Sequence, residues 1–310
     1  MKQSLCIITS NVEISPSTYL MWLEAPDIAA VAQSGQFITV RCEDFVLRRP
    51  FSIHQVTPNQ VAILFKAVGK GTLWLSRCQK GDKVDVLGPL GNGFGIPSVI
   101  ARHEVPRQSK NLLLMAGGIG IAPLCFLAQY ASSQHSITLI HGVSTARELY
   151  PFSSLALTLN PSPFKGEGKG EGVKRSSLLP LPSNVRFISV TEDGSAGRKG
   201  VVTDVLPDFL DWADQVYACG PLDMYKTMAN MSLPLTLNPS PSKGEGKGEG
   251  EKRSEESKLK RCQISLEVRM GCGIGACYGC TINTKKGLNK VCRDGPVFEL
   301  DDILWEEVRL

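Results

Sequence analysis

Short apolar runs cut by Gly, Pro, Asn and Asp fill the first hundred positions of the chain. Gln36–Arg41, Val61–Phe65 and Lys83–Leu87 read as strands bounded by turn residues. Only a short stretch around Thr72–Arg77 carries a helical pattern there, so residues 1–104 predict a small antiparallel β-barrel. The texture then changes. Asn111–Met115 is a continuous buried-strand run, followed by a glycine-rich turn and a helical stretch to about Ser132. Strands at Ile137–His141, Val185–Val190 and Gln215–Ala218 alternate with helices at Val202–Leu206 and Leu222–Met228. Such alternation predicts a parallel α/β domain over 105–232. A small cysteine-rich domain, 258–310, closes the chain.

Two segments fit neither pattern. Leu157–Ser176 and Leu235–Ser254 are near-copies, differing only at Phe164/Ser242 and Val173/Glu251. Their Gly, Lys, Glu, Pro and Ser cannot bury enough apolar surface to offset the entropy of ordering. They predict disordered insertions at about 155–178 and at 233–257.

Composition narrows the class. A chain of 310 residues with 42% hydrophobic and 21% charged residues is that of a globular protein. A net charge of +4, scattered rather than clustered, gives no reason to expect nucleic acid. Met1–Pro26 lacks a long apolar run and carries Glu13 and Glu24, so neither a signal peptide nor a membrane span is expected, and the cytoplasm is the expected compartment.

Ten cysteines divide into two sets. Cys6, Cys42, Cys78, Cys125, Cys219 and Cys262 are dispersed through apolar segments and read as buried free thiols. Cys272, Cys277, Cys280 and Cys292 have the spacing C-x4-C-x2-C-x11-C of plant-type ferredoxins, in which four thiolates hold a [2Fe–2S] cluster. Gly271, Gly273, Gly275 and Gly279 let the backbone wrap tightly and aim N–H groups at the sulfurs. Structural zinc is the rival. It favours two short cysteine pairs, whereas three ligands here share one loop.

The other motifs carry a family resemblance. Arg49-Pro50-Phe51-Ser52 is similar to the Arg-x-aromatic-Ser flavin motif of the ferredoxin–NADP⁺ reductase superfamily, with the arginine suited to a pyrophosphate. Leu64-Phe65-Lys66 and Gly71-Thr72 stand where that superfamily places further FAD contacts, and Gly88–Phe94 resembles the loop ending its barrel. Gly117-Gly118-x-Gly120, after a buried strand and opening a helix, suits a dinucleotide phosphate loop. Pro123 replaces the third fingerprint glycine, as in that superfamily. Cys219-Gly220-Pro221 resembles the marker beside the nicotinamide, with a buried structural cysteine as the alternative, and Thr191–Ser195 resembles the adenosine-ribose loop.

Ser265-Leu266-Glu267-x-Arg269-Met270-x-Cys272, with Val291–Phe298, closely resembles the electron-transfer subunits of type B dihydroorotate dehydrogenases. That resemblance implies FAD in the barrel, NAD as co-substrate in the α/β domain and [2Fe–2S] at the C-terminus. It further implies a separate FMN-containing catalytic subunit, two copies of each forming a heterotetramer, and a place in pyrimidine synthesis. The chemistry would lie in the cofactors, so no catalytic side chain is expected. An NAD(P)H-dependent flavin and iron–sulfur reductase subunit serving another partner is the alternative. A zinc-stabilised binding module is the rival of another class. Arg147, Arg198 and Lys199 could meet a 2′-phosphate, leaving NAD against NADP open. His54, His103, His135 and His141 show no ligand spacing and read as structural or exposed.

Overall fold

The computed structural model describes residues 1–43, 45–96, 110–152, 180–232 and 262–308. Both expected insertions, the boundaries near 104 and 258, and His103 lie outside these residues.

Six strands form a closed antiparallel barrel: β1 (Lys2–Ser15), β2 (Thr18–Glu24), β3 (Phe37–Val40), β4 (Arg49–Val56), β5 (Gln60–Lys66) and β6 (Lys83–Leu90), in the order β1-β2-β5-β4-β3-β6. Closure through the β1–β6 pairing leaves no free sheet edge. Helix α1 (Pro26–Ala29) is a single turn, and α2 (Lys70–Arg77) follows β5. Three of these strands, β1, β2 and β4, have no counterpart among the expected strands, and β4 enters the sequence reading only as the Arg49–Ser52 motif. On β1 only Cys6, Ile8 and Ile14 are buried, so polar residues mask its period. On β2, Met21 and Leu23 point into the barrel core, while Leu20 and Trp22 join a cluster shared with the second domain. With both faces buried, the alternation that marks a half-buried strand disappears.

The second sheet has seven strands. β7 (Asn111–Gly117), β8 (Ser136–Val143), β9 (Val185–Thr191), β10 (Arg198–Lys199) and β11 (Gln215–Cys219) are all parallel. β12 (Cys262–Ser265) extends them parallel to β11, so the sheet continues into the segment expected as a separate C-terminal unit. A small hairpin, β13 (Thr281–Thr284) with β14 (Gly287–Lys290), precedes β15 (Val297–Glu299), which adds antiparallel to β12. Helix α3 (Ile121–Ala131) is buried along nearly its whole length, which fits its low polarity. Helix α4 (Leu222–Ser232) follows β11, and the short α5 (Val291–Asp294) carries Cys292. The stretch expected as a helix at Val202–Leu206 is instead a 3-10 helix, Val202–Phe209, and contains Pro207. Proline removes an N–H donor and crowds the preceding turn, which disfavours a regular α-helix.

Barrel and sheet share one apolar cluster. Ile14, Leu20, Trp22, Ala62 and Leu64 of the barrel pack with Leu112, Leu114, Ile121 and Leu124. The C-terminal segment is stapled to the barrel by Asn92. Its backbone N–H donates to the Gly295 carbonyl (2.7 Å), and its amide bonds both Val297 N–H (2.9 Å) and Val297 C=O (3.0 Å). No helix among the described residues is long and apolar enough to cross a membrane.

Candidate functional site

Two clefts meet where the barrel, the sheet and the C-terminal segment converge. The first, about 440 Å³, is lined by Pro50, Phe51 and Ser52 of β4, by Leu64, Phe65 and Lys66 of β5, and by Ser265–Met270. The sequence motifs from two barrel strands are thus neighbours across one cavity. Phe51 and Phe65 pack at 5.7 Å and build a largely apolar wall.

Arg49 stands just beyond this cleft, with its guanidinium over the Phe45 ring at 5.6 Å and Nη1 donating to the Leu47 carbonyl at 2.7 Å. Gly71 lies against it. A Cβ on Gly71 would come 3.1 Å from Arg49 Nε, so glycine gives the arginine its room. The Thr72 hydroxyl closes the start of α2: it donates to the Gly69 carbonyl and accepts the N–H of Val68 and Gly69, each at 3.0 Å. Arg48 turns the other way, to Asp85 at 2.5 Å, which leaves Arg49 alone of the pair beside α2.

The second cleft, about 600 Å³, is lined by Gly117, Gly118, Glu192, Gly220 and Pro221 among others, so the glycine-rich loop and the Cys219-Gly220-Pro221 marker face one space. Gly120 explains how they come together: a Cβ there would lie 2.1 Å from the Cys219 carbonyl oxygen. Only glycine permits that approach. Ser144 donates to Glu192 at 3.1 Å. Arg198 pairs with Asp208, and none of Arg147, Arg198 and Lys199 lines the cleft.

Ile119 and Glu267 line both clefts. Glu267 was legible only as part of a family motif, with no role of its own. It faces the clefts and is exposed through them, yet protein crowds it on its other sides. That crowding raises its pKa above the usual carboxylate value, while the bond from Cys219 opposes the rise. Cys219 is fully buried, its Sγ 3.8 Å from Glu267 Oε1, and burial followed by this carboxylate pushes its thiol far up. Tyr225 supports the corner: its hydroxyl donates to the Ser265 carbonyl (2.7 Å) and accepts the Gly220 N–H (2.8 Å).

The four C-terminal cysteines fall into two contacting pairs, Cys272 with Cys277 and Cys280 with Cys292. Backbone N–H groups surround them. Gly275 donates to Cys292 Sγ at 3.1 Å, Ala276 and Cys277 to Cys272 Sγ at 3.3 and 3.4 Å, and Gly279 to Cys277 Sγ at 3.5 Å. Burial opposes ionisation of Cys272, but the N–H groups of Ile274, Cys277 and Ala276, with the Cys277 thiol, bring its thiol down to about 6. No group of three or more His, Cys, Asp or Glu among the described residues converges on a single ion. Four cysteines in two contacting pairs, inside a shell of N–H donors, are residues that fit a [2Fe–2S] cluster. The loop rests on the barrel: Gly273, with φ +73°, is so close to Thr39 that a Cβ would lie 3.0 Å from its methyl.

All ten cysteines are free thiols; five of the six dispersed ones are buried and Cys78 is half-buried. His54, His135 and His141 are buried.

Comparison with known proteins agrees with this geometry. Residues 267–304 match the family described as the iron-sulfur cluster binding domain of dihydroorotate dehydrogenase B. The electron transfer subunit of NAD⁺-dependent dihydroorotate dehydrogenase B from Desulforamulus reducens is 34% identical over 308 residues, covering 94% of this chain and 95% of its own. That from Caldanaerobacter subterraneus is 32% identical, covering 96% and 97%. Among solved structures, an NADH-dependent reduced ferredoxin-NADP oxidoreductase superposes with a TM-score of 0.70 at 25% identity, over 98% of this chain and 91% of that one. Phthalate dioxygenase reductase shares the fold, with a TM-score of 0.51 at 20% identity over 74% of this chain and 63% of its own. The chain belongs to the family of electron transfer subunits of dihydroorotate dehydrogenase B.

Proposed function

We propose that this chain carries electrons from a flavin-bearing dihydroorotate dehydrogenase catalytic subunit to NAD⁺, using a [2Fe–2S] cluster and FAD. One observation carries the reading: the segment Ser265–Met270 lines the first cleft and runs directly into the cysteine loop, while its Glu267 also lines the second cleft. Three sites are thus joined by one short stretch of chain. When bound, the cluster supplies single-electron transfer, and the flavin exchanges electron pairs as hydride with the nicotinamide.

The residues of the chain supply position and charge. Cys272, Cys277, Cys280 and Cys292 would hold the cluster. Pro50, Phe51, Ser52, Leu64, Phe65 and Lys66 wall the flavin cleft, with Arg49, Gly71 and Thr72 placed together for its pyrophosphate. Gly117, Gly118, Gly120, Cys219, Gly220 and Pro221 frame the nicotinamide cleft. Glu148, Glu192, Asp223 and Glu267 line that cleft, and no Lys or Arg does among the described residues. Glu148 is paired with Lys66 at 3.0 Å, and the described lining offers a 2′-phosphate no basic side chain of its own, which favours NAD⁺ over NADP⁺. Ten free thiols, four of them cluster ligands, suit the reducing cytoplasm. The family implies two copies of each subunit in the working complex.

The test is an anaerobic assay of the reconstituted chain with an FMN-containing catalytic subunit, dihydroorotate and NAD⁺. NADH formation that requires this chain and disappears in Cys277→Ser is the expected result. If NADH reduces the bound flavin and cluster but dihydroorotate yields no NADH, the chain serves another electron partner.

A further inference from the structure

The proposed electron path gives no role to the buried His54 and His141. His141 on β8 donates its Nε2–H to the Gly118 carbonyl at 3.0 Å, and its Nδ1 accepts the Tyr150 N–H at 3.4 Å. Only the neutral ring with its proton on Nε2 can make both bonds. His54 on β4 makes a matching pair. Its Nδ1–H donates to the Ala122 carbonyl at 3.0 Å, and its Nε2 accepts the Tyr150 hydroxyl at 2.9 Å. Histidines from the barrel and from the sheet therefore hold carbonyls at both ends of the segment Gly118–Ala122, with Tyr150 between them. Burial lowers both rings to a pKa of about 4, so both are neutral near pH 7.

Gly118 and Ile119 of the held segment line the nucleotide cleft. Gly118 has φ +53°, lines that cleft, and has nothing within 4 Å of where a Cβ would stand. Such a peptide, free of side-chain constraint, is the one that rotates most readily. Its orientation matters because an anion is held by N–H groups, and a carbonyl turned toward phosphate repels it. His141 binds that carbonyl from the buried side and keeps it out of the cleft.

We propose that His141 is a positioning residue for the dinucleotide pyrophosphate, fixing the Gly118 carbonyl away from the ligand while His54 and Tyr150 anchor the far end of the loop. This inference rests on the reading that the second cleft takes NAD⁺. It is specific to the phosphates: adenosine, which lacks them, does not depend on the orientation of this peptide.

The experiment is equilibrium titration of the cofactor-loaded protein with NAD⁺, ADP-ribose and adenosine. His141→Leu is expected to weaken NAD⁺ and ADP-ribose about tenfold and to leave adenosine unchanged. His141→Gln, which can place an N–H at the same carbonyl, is expected to restore most of that loss. Unchanged NAD⁺ affinity in His141→Leu overturns the inference. So does adenosine weakening in step with ADP-ribose, the mark of a general structural loss. A wild-type chain that binds no NAD⁺ overturns instead the reading on which the inference rests. Should His141→Leu fail to fold, the ¹⁵N shifts of His141 in the wild type decide. The Nε2–H tautomer must persist on NAD⁺ binding, and a ring that gives up Gly118 refutes the role.

Discussion

Cys219 Sγ lies 3.8 Å from Glu267 Oε1, at the corner shared by the two clefts. A carboxylate there faces the place where hydride would cross between the cofactors. The oxidised nicotinamide ring carries a positive charge and the reduced ring carries none. An anionic Glu267 should therefore favour NAD⁺ over NADH, by on the order of 1 kcal/mol for a charge open to the clefts. Glu267→Gln is expected to weaken NAD⁺ about three- to tenfold and to leave NADH nearly unchanged. Parallel titrations of the two nucleotides check this. Equal losses for both would assign Glu267 a packing role instead.

Gly120 is the contact through which the glycine loop reaches Cys219-Gly220. In Gly120→Ala the added methyl meets backbone at 2.1 Å, and backbone cannot swing aside as a flexible side chain does. The loop and the marker must separate, so nucleotide binding is expected to fall by at least tenfold while flavin absorbance stays unchanged. Wild-type NAD⁺ affinity in this variant would show that the two motifs do not act together.

Much of this arrangement was legible from residue order, and the reasons it was legible are local. Asn111–Gly117 is apolar on both faces because helices cover both, and such a run announces itself. The cysteine spacing carries its chemistry in sequence alone. What stayed hidden depends on partners distant in the chain. Trp22 and Leu20 are buried by a domain that begins some ninety residues later, so β2 shows no strand period. His54 and His141 are far apart in sequence and meet only through Tyr150, which no spacing rule brings to light. Glu267 sat inside a recognised motif, but its position between two clefts is a property of the fold.

Gly275 holds the cluster loop in a conformation that side chains resist. Its φ is +81°, and its N–H donates to Cys292 Sγ at 3.1 Å. A Cβ there would touch Arg293 Cδ at 3.0 Å, which the long arginine can relieve by moving. The left-handed backbone cannot be relieved so easily and costs about 1–2 kcal/mol. Gly275→Ala is expected to lose its cluster absorbance several-fold faster under an iron chelator. A loss rate equal to wild type would mean that the loop relaxes without disturbing the N–H donor.

His54 and His141 set a pH dependence whose sign follows from their environment. Burial lowers both to about 4 from an ordinary 6.5, against the opposing pull of the Ala122 and Gly118 carbonyls. Between those values the unfolded chain binds protons that the folded chain refuses. Their contribution to stability is thus complete above about pH 6.5 and is lost progressively as the pH falls toward 4. With two such rings the slope in that window is about 2.7 kcal/mol per pH unit, and with one it is about half. Denaturant unfolding at pH 7, 6 and 5 is expected to show a shallower fall for His54→Gln than for the wild type, because carboxylates elsewhere contribute equally to both. Parallel curves would mean that His54 takes up its proton in the folded chain, and that its bond to Ala122 survives the charge.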